Sequence, residues 1–223
     1  LTCVATTRNE VFEILTRYNE AGIENIMALR GDPPKGAEER AIPAGEGFPY
    51  AADLVAFIKQ HFPQMSVGVA GFAEGHPATP NRIKEIEYLK AKVDAGADFI
   101  VTQLFFDNHD FYDFCERCHL AGIHVPVIAG IMPIISKRNM LRMADLAAGA
   151  HYPARLLRAL ARAEDDEDFA KIGRHWATEQ VLDLLDHDVR GVHCYTLNKS
   201  RSTMQIYDAL KLRKVMHSPE NRF

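Results

Sequence analysis

Short apolar runs that stop at glycine or charged residues recur along this sequence, and they constrain its fold more than any other feature. The clearest run covers residues 26–29 (Ile-Met-Ala-Leu) and is followed at once by Arg30, Gly31 and Asp32. An apolar run of about four to six residues is typical of a parallel strand that is buried on both faces. Polar groups just past the carboxyl end of such a strand lie where α/β folds bind their ligands. The pattern therefore predicts an α/β fold with its chemistry at the strand ends.

Four further apolar runs repeat this pattern. They cover residues 66–70, 99–102, 125–128 and 191–194, and polar or glycine-containing segments follow each of them. Residues 1–5 resemble the end of a strand whose beginning is absent. We therefore expect five strands and the remnant of a sixth.

Segments with helical periodicity separate the apolar runs. Thr7 and Glu10 fit a capping box at the start of the first segment. Further helices are predicted from Asn81, from about Asn108, and over residues 50–61, 136–148, 153–163, 167–187 and 200–212. Three helices are expected to end just before a glycine in the left-handed conformation, because a side chain would clash there. These glycines are Gly22, Gly96 and Gly122.

Strands that alternate with helices predict parallel pairing through right-handed crossovers. Sequential strand order with polar residues at every strand end favours a (β/α)8 TIM barrel, with an open doubly wound sheet as the alternative. Such a barrel usually needs about 250 residues and eight strands. We expect the 223 residues to form a single domain, an incomplete barrel that runs from the C-terminal half of strand 3 through strand 8 and its following helix. Roughly two and a half βα units are then expected to precede it in the parent protein.

Composition narrows the class of protein. With 47% hydrophobic residues and a formal net charge of −4, the chain can bury one core and has no overall attraction to nucleic acid. No run approaches the ~20 apolar residues of a membrane span, and no leader is recognisable, so we expect a cytoplasmic protein without a membrane partner. The four cysteines are expected as reduced thiols, and the ten scattered histidines predict no metal site.

Four local sequences together resemble the methylenetetrahydrofolate reductase family. They lie at four successive predicted strand ends and comprise residues 28–32 (Ala-Leu-Arg-Gly-Asp), 74–77 (Glu-Gly-His-Pro), 102–107 (Thr-Gln-Leu-Phe-Phe-Asp) and 193–198 (His-Cys-Tyr-Thr-Leu-Asn). The similarity extends from residue 1 to about residue 212.

The resemblance implies a flavin-dependent TIM-barrel enzyme of folate one-carbon metabolism. Its cofactor would be FAD, its reductant NAD(P)H, and its substrate a reduced folate, 5,10-methylenetetrahydrofolate, which becomes 5-methyltetrahydrofolate. The two ligands would stack in turn on the isoalloxazine, so that one hydride position at flavin N5 serves both half-reactions in ping-pong order. Whether NADH or NADPH is preferred stays open, as does the oligomeric state, a homo-oligomer included.

The resemblance assigns catalytic roles to Asp32 and Gln103. A fixed negative charge at Asp32 would favour the iminium cation that forms when the folate ring opens. Gln103 would read the pterin in one half-reaction and the nicotinamide carboxamide in the other, because an amide both donates and accepts without a charge. The alternatives are an aspartate that caps a loop and a glutamine that bonds a loop backbone.

A larger set of positions matches the family's contacts to FAD. Gly31 would permit close backbone approach, Lys92 would offer a charge to an anionic group, and Glu85 would accept from ribose hydroxyls. The alternative for Glu85, Tyr88 and Lys92 is a solvated helix face with salt bridges. The full set comprises Arg30, Gly31, Asp32, Tyr50, Ala51, Ala70, Phe72, His76, Pro77, Ala78, Thr79, Glu85, Tyr88 and Lys92.

The predicted folate contacts are Gln103, Tyr195 and Lys199. Two positions depart from the family. Lys199 replaces the usual arginine, which keeps the charge for the glutamate tail but loses the planar bidentate fork. Phe72 replaces the more usual tyrosine and so loses a hydroxyl group.

One family feature has no match in the sequence: the glutamate that acts as general acid and protonates the folate amine. A flavin-binding or structural fragment without turnover is therefore one alternative function. A different flavin barrel oxidoreductase, similar to proline dehydrogenase, is another. A cofactor-free aldolase or phosphate-binding barrel is disfavoured, because neither a buried lysine at a strand end nor a late glycine-rich loop is found.

Overall fold

The fold alternates helices and strands along the whole chain. The computed structural model describes residues 1–31, 46–76, 79, 81–146 and 150–211. Its strands are β1 (Asn25–Ala28), β2 (Ser66–Gly71), β3 (Phe99–Thr102), β4 (Val127–Ile131) and β5 (Val192–Cys194). Its helices are α1 (Arg8–Glu20), α2 (Ala51–His61), α3 (Arg82–Asp94), α4 (Asn108–Leu120), α5 (Lys137–Leu146), α6 (Ala154–Leu160), α7 (Asp166–Asp186) and α8 (Arg201–Ala209).

The five strands form one sheet in the order β1-β2-β3-β4-β5. Strand β1 pairs in parallel with β2, and β4 pairs in parallel with β5. Parallel neighbours in chain order, each connected through helix, are the arrangement of a (β/α)8 barrel. The prediction of an incomplete TIM barrel is confirmed.

The chain divides into two compact units. The first comprises Leu1–Gly71, Asn81–Val101 and Glu116–Val127, and the second comprises Phe72–Pro80, Thr102–Cys115 and Ile128–Phe223. The first unit buries the inner face of α2, where Leu54, Val55 and Ile58 are wholly inaccessible. A core cluster in the second unit comprises Leu104, Phe106, Met132, Ile134, Met143, Leu156 and Leu160.

Local sequence signals fix several helix ends as expected. The Thr7 hydroxyl accepts from the Glu10 amide at 3.2 Å while the Thr7 amide donates to the Glu10 carboxylate at 2.8 Å, which is a complete capping box. The Asn81 side chain accepts from the Ile83 amide at 3.0 Å and so caps α3. The three predicted left-handed glycines are confirmed, with φ of +74° at Gly22, +111° at Gly96 and +73° at Gly122.

One strand prediction is confirmed only in part and another needs correction. Residues 1–5 keep a short remnant of parallel pairing: Thr2 bridges to Leu29, the Leu29 amide donates to the Leu1 carbonyl at 2.9 Å, and the Cys3 amide donates to the Leu29 carbonyl at 3.0 Å. The chain turns away there because Ala5 has a φ of +57° and α1 begins soon after. Strand β4 begins two residues later than predicted, since Pro126 has no amide hydrogen for a ladder, and Gly130 lies inside the strand rather than after it.

Helix limits differ less from the prediction. Helix α6 is shorter at both ends than residues 153–163, and α8 ends at Ala209. The predicted ends at residues 148 and 212 lie outside the described residues. No helix within the described part of the chain is both long enough and apolar enough to pass through a bilayer.

Burial makes two of the cysteine thiols poorly reactive. Burial raises the pKa of the Cys3 thiol to about 11, and it does the same for Cys115. A thiol with such a pKa carries almost no thiolate at neutral pH, so neither residue is a suitable nucleophile.

Candidate functional site

In the first unit, the end of β1 continues into Arg30 and Gly31. Gly31 has a φ of +81°, and a Cβ added to it would lie 3.0 Å from the Thr2 side chain. The amide of Cys3 donates to the Leu29 carbonyl at 3.0 Å, so the N-terminal segment holds this backbone. Glycine is required here by its backbone conformation as well as by space. The next residue, the predicted catalytic Asp32, lies outside the described residues.

Helix α3 brings two predicted cofactor residues to the end of β2. The Lys92 ammonium donates to the Ala70 carbonyl at 2.6 Å. Glu85 lies two turns earlier on the same helix face and is only 7% exposed. Burial lowers the pKa of Lys92 to about 8, and the charge of Glu85 opposes this shift. A half-buried lysine and a buried carboxylate thus lie on the helix face that contacts the end of a central strand.

The remaining predicted cofactor residues of the first unit lie at its surface. Tyr50 precedes α2, where its amide donates to the Asp53 carboxylate at 3.0 Å, and its side chain is 68% exposed. Tyr88 follows Glu85 by one turn of α3 and is 59% exposed, whereas Glu85 is 7% exposed. Arg30 is also exposed, and Ala51 is half-buried at the start of α2. These side chains are accessible to a ligand but are not preorganised by contacts among themselves.

In the second unit, the segment after β2 forms a compact turn. Gly75, with a φ of +94°, donates its amide to the Phe72 carbonyl at 3.1 Å. The rings of Phe72 and His76 meet edge to face, with centroids 4.7 Å apart. The Thr79 amide then donates to the His76 carbonyl at 2.8 Å. Of the predicted residues in this segment, Pro77 and Ala78 lie outside the described residues.

Gln103 follows directly on the last residue of β3. Its carboxamide oxygen accepts from the Leu104 amide at 3.0 Å. The carboxamide oxygen is therefore held by the backbone of the next residue, and the Nε2 group is the part of the amide that can donate. Gln103 is half-buried. A local hydrogen bond and partial exposure thus characterise this side chain.

Tyr195 and Lys199 follow β5. The Tyr195 hydroxyl donates to the Thr102 carbonyl at 2.9 Å, one residue before Gln103, and burial raises the pKa of this phenol. Leu197 and Asn198 both have positive φ, so the chain turns sharply before Lys199, which is exposed. Tyr195 is therefore tied to the end of β3, whereas Lys199 lies on a surface turn.

The match to known proteins identifies the family. The family model described as methylenetetrahydrofolate reductase matches residues 1–211. The chain belongs to the methylenetetrahydrofolate reductase family. This confirms the family that the four strand-end sequences indicated.

Individual methylenetetrahydrofolate reductases give the extent of the similarity. The chain is 38% identical to methylenetetrahydrofolate reductase 2 of Saccharomyces cerevisiae over 95% of its length, and 39% identical to methylenetetrahydrofolate reductase (NADH) 1 of Arabidopsis thaliana over 92%. In each case it spans 36% of the relative, about a third of its length. It is 34% identical to 5,10-methylenetetrahydrofolate reductase of Escherichia coli, covering 96% of this chain and 69% of that one.

A solved structure supports the fold independently. An uncharacterized protein from Clostridium thermocellum, described as binding two copies of 5-methyl-5,6,7,8-tetrahydrofolic acid, superposes with a TM-score of 0.57. The match covers 96% of this chain and 72% of that one at 14% sequence identity. At this identity the likeness concerns the fold alone.

One cluster was not foreseen from the sequence of this methylenetetrahydrofolate reductase family member. Glu74, Asp110 and His151 in the second unit place one potential ligand atom each within 4.8 Å of one another. The His151 amide also donates to the Glu74 carboxylate at 2.9 Å, and burial raises the pKa of Glu74. The three residues come from separate segments, so no spacing in the sequence could reveal the cluster.

Proposed function

We propose that this chain is the catalytic region of an enzyme that reduces 5,10-methylenetetrahydrofolate to 5-methyltetrahydrofolate, with FAD as cofactor and NAD(P)H as reductant. Membership of the methylenetetrahydrofolate reductase family over residues 1–211 is the observation that carries this proposal. The relatives from Arabidopsis thaliana and Caenorhabditis elegans bear NADH and NADPH respectively in their names, which supports a nicotinamide reductant.

The residues at the end of β2 fit FAD chemically. FAD carries two phosphates and a ribose whose hydroxyl groups need acceptors, and a poorly solvated ammonium with a buried carboxylate meets both requirements. Lys92 and Glu85 supply these groups from one face of α3. Gly31, with its positive φ and its tight neighbours, allows a ligand to approach the backbone at the end of β1. We therefore assign Lys92, Glu85 and Gly31 to the cofactor.

Hydride transfer from NAD(P)H to the folate is the chemistry that bound FAD would supply. The protein residues contribute orientation and electrostatics. Asp32 supplies a fixed negative charge that favours the folate iminium cation. Gln103 donates and accepts hydrogen bonds, first with the nicotinamide carboxamide and then with the pterin. Tyr195 contacts the folate, and Lys199 pairs with the carboxylates of its glutamate tail.

The decisive experiment separates the two half-reactions. The protein is purified at its full encoded length and checked for a yellow cofactor, then mixed without oxygen with NADH or NADPH. We expect loss of the flavin absorbance, followed by its return when 5,10-methylenetetrahydrofolate is added. Tetrahydrofolate without the methylene bridge is the control and should not restore the colour. A protein that binds no flavin, or that bleaches but is not reoxidised by methylenetetrahydrofolate, would contradict the proposal.

A further inference from the structure

A run of hydrogen bonds crosses the ends of β3, β4 and β5 in the second unit. The Gly130 amide donates to the Thr102 hydroxyl at 2.9 Å, and Thr102 is completely buried. The Thr102 carbonyl, in turn, accepts from the Tyr195 hydroxyl at 2.9 Å. The Tyr195 amide donates to the Ile131 carbonyl at 2.9 Å, which continues the pairing of β5 with β4. One buried threonine is thus bonded to both neighbouring segments.

Because Gly130 has no side chain, the Tyr195 ring and the end of β3 can lie close to its backbone. A Cβ added to Gly130 would lie 2.2 Å from the Thr102 carbonyl oxygen and 2.8 Å from Cε2 of the Tyr195 ring. The backbone of Gly130 is not in the left-handed region, so conformation does not explain the glycine. Close approach explains it, because the tyrosine ring and the end of β3 occupy the position that a side chain would need.

From this geometry we infer that Gly130 and Thr102 are positioning residues for Tyr195, and that Tyr195 contacts folate through its ring and not through its hydroxyl. The inference rests on the proposed function, which makes Tyr195 a folate contact. The hydroxyl hydrogen is directed at a backbone carbonyl, so the phenol is not free to donate to a ligand. Burial also raises the pKa of Tyr195, which makes it a poor general acid.

A ring held in this way suits an aromatic ligand. Aromatic pairs prefer offset-stacked or edge-to-face contacts, and these need a ring whose orientation is fixed in advance. Three of its contacts orient the Tyr195 ring: the hydroxyl bond to Thr102, the close approach to Gly130, and an edge-to-face contact with His193 whose ring centroid lies 4.6 Å away. The pterin and the benzoyl group of a folate are both planar aromatic groups. Tyr195 therefore contributes to specificity for planar aromatic substrates.

Substitutions at Tyr195 distinguish the contribution of its ring to folate binding from that of its hydroxyl group. The readout is the Kd for 5-methyltetrahydrofolate of the full-length holoenzyme. Tyr195→Phe loses the hydroxyl bond but keeps the ring and its contacts with Gly130 and His193, so its Kd should rise by no more than about threefold. Tyr195→Leu removes the aromatic contact, so its Kd should rise about tenfold or more. Equal losses in the two variants would overturn the claim that the ring is the contact.

Substitutions at Thr102 and Gly130 test positioning. Thr102→Val removes the acceptor for the Gly130 amide, whereas Thr102→Ser keeps it. We expect the folate Kd to rise about tenfold in the valine variant and to stay close to wild type in the serine variant, with reduction of the flavin by NAD(P)H unaffected in both. Gly130→Ala should also weaken folate binding, with Gly191→Ala as control because its Cβ would meet Ile128 at an ordinary 3.7 Å. If Gly130→Ala does not fold, the Thr102 pair decides.

A spectroscopic readout keeps the inference testable apart from the proposed function. The protein is labelled with 3-fluorotyrosine, and the Tyr195 resonance is assigned by its loss in Tyr195→Phe. This resonance should shift or broaden in Thr102→Val and return to its wild-type position in Thr102→Ser. An unchanged resonance in Thr102→Val would overturn the positioning role. Failure of the wild-type protein to bind 5-methyltetrahydrofolate would instead contradict the proposed function and, with it, the claim of ring contact.

Discussion

The end of β2 and the ends of β3 to β5 present polar groups of different kinds. At the end of β2 the polar groups are charged and poorly solvated, with Lys92 donating to Ala70 and Glu85 on the same helix face. At the end of β3 the groups are neutral, and Gln103 and Tyr195 are each bonded to backbone. The first arrangement depends on charge and hence on pH, whereas the second depends on geometry.

This difference corresponds to the ligands that we propose. A diphosphate needs a positive charge, whereas a pterin or a carboxamide needs donors, acceptors and a flat contact. A buried charge that loses its partner is costly, while a neutral amide adapts to two ligands in turn. Substitutions of the charged residues should therefore have larger effects than substitutions of the neutral ones.

The largest effect is expected for Asp32→Asn, which removes the proposed charge beside the folate. Reoxidation of the flavin by methylenetetrahydrofolate should slow about 10²–10³-fold, as is typical when one electrostatic contact to a developing charge is lost. Reduction by NAD(P)H should slow much less, because no folate cation forms in that half-reaction. Stopped-flow absorbance measures both rates. Asp94→Asn on α3 is the matched control, and equal losses in the two half-reactions would reject the assigned role.

Lys92→Met should weaken FAD binding about 10–100-fold, the range for hydrogen bonds to charged groups. Lys92→Arg should retain most of the affinity. In the wild type the FAD affinity should fall as the pH rises through about 8, where Lys92 loses its proton. The arginine variant should not show this fall. Fluorescence titration with FAD from pH 6 to 10 measures this pH dependence of the affinity, and Lys90→Met is the control. A pH profile shared by wild type and Lys92→Arg would contradict the assignment.

The same lowered pKa makes a prediction about stability. The folded protein releases the Lys92 proton near pH 8, whereas the unfolded chain holds it up to the ordinary value of 10.5. Between these values the unfolded state binds more protons, so the free energy of unfolding receives a contribution that rises with pH. This contribution should be absent from Lys92→Met. Urea unfolding of the apoprotein at several pH values tests it, and an identical pH slope in the two proteins would exclude the lowered pKa.

A smaller effect is expected for Gln103→Glu, which replaces a group that donates and accepts with one that only accepts. The KM values for NAD(P)H and for methylenetetrahydrofolate should both rise about tenfold, because each ligand loses a donor. Gln64→Glu is the matched control, since Gln64 is exposed and bonds only to Asn19 among the contacts described. A change confined to one ligand would show that Gln103 does not serve both half-reactions.

The smallest effect is expected for a hydrogen bond between α4 and α7, which lies outside the proposed cofactor and folate residues. The Tyr112 hydroxyl donates to the Asp183 carboxylate at 2.6 Å, and bonds from Asn108 and Tyr112 lower the pKa of Asp183. Tyr112→Phe should lower the free energy of unfolding by about 0.5–1 kcal/mol, a modest value because the pair is partly exposed to water.

The pH dependence of this bond has a defined sign. A lowered carboxyl pKa stabilises the fold above the ordinary value of 3.8, and this stabilisation is lost as the pH falls through the folded-state pKa. The difference between wild type and Tyr112→Phe should therefore shrink in acid. Urea unfolding measures it, with Tyr18→Phe as control. If the difference in unfolding free energy stays the same in acid, the ionised Asp183 carboxylate is not the partner through which Tyr112 stabilises the fold.

Local signals made much of the fold predictable. The capping box at Thr7, the cap at Asn81 and the left-handed glycines each depend on a few adjacent residues, and all were found as expected. The strand limits were less accurate. Strand β4 was displaced because the prediction followed its apolar residues, whereas the ladder begins only past Pro126 and runs through Gly130.

For the candidate site, the sequence predicted which residues take part but not how they contact one another. The resemblance to the family indicated these residues, and their roles stay predictions. The sequence did not indicate that Tyr195 donates to Thr102, because 93 positions separate them. It did not explain Gly130, whose neighbours are the last residue of β3 and the residue that follows β5, nor did it reveal the cluster of Glu74, Asp110 and His151. Contacts of this kind form only when distant segments pack.

The sequence by itself determined the alternation of strands and helices, the helix ends and the family, because each is encoded in short stretches or in four local motifs. Only the tertiary structure decided which groups share an environment. Lys92 has a lowered pKa because packing buries it, and the Tyr195 hydroxyl is occupied because packing brings it to the Thr102 carbonyl at the end of β3. Burial and hydrogen-bond partners depend on chain segments far apart in sequence, and these properties set the chemistry of a side chain.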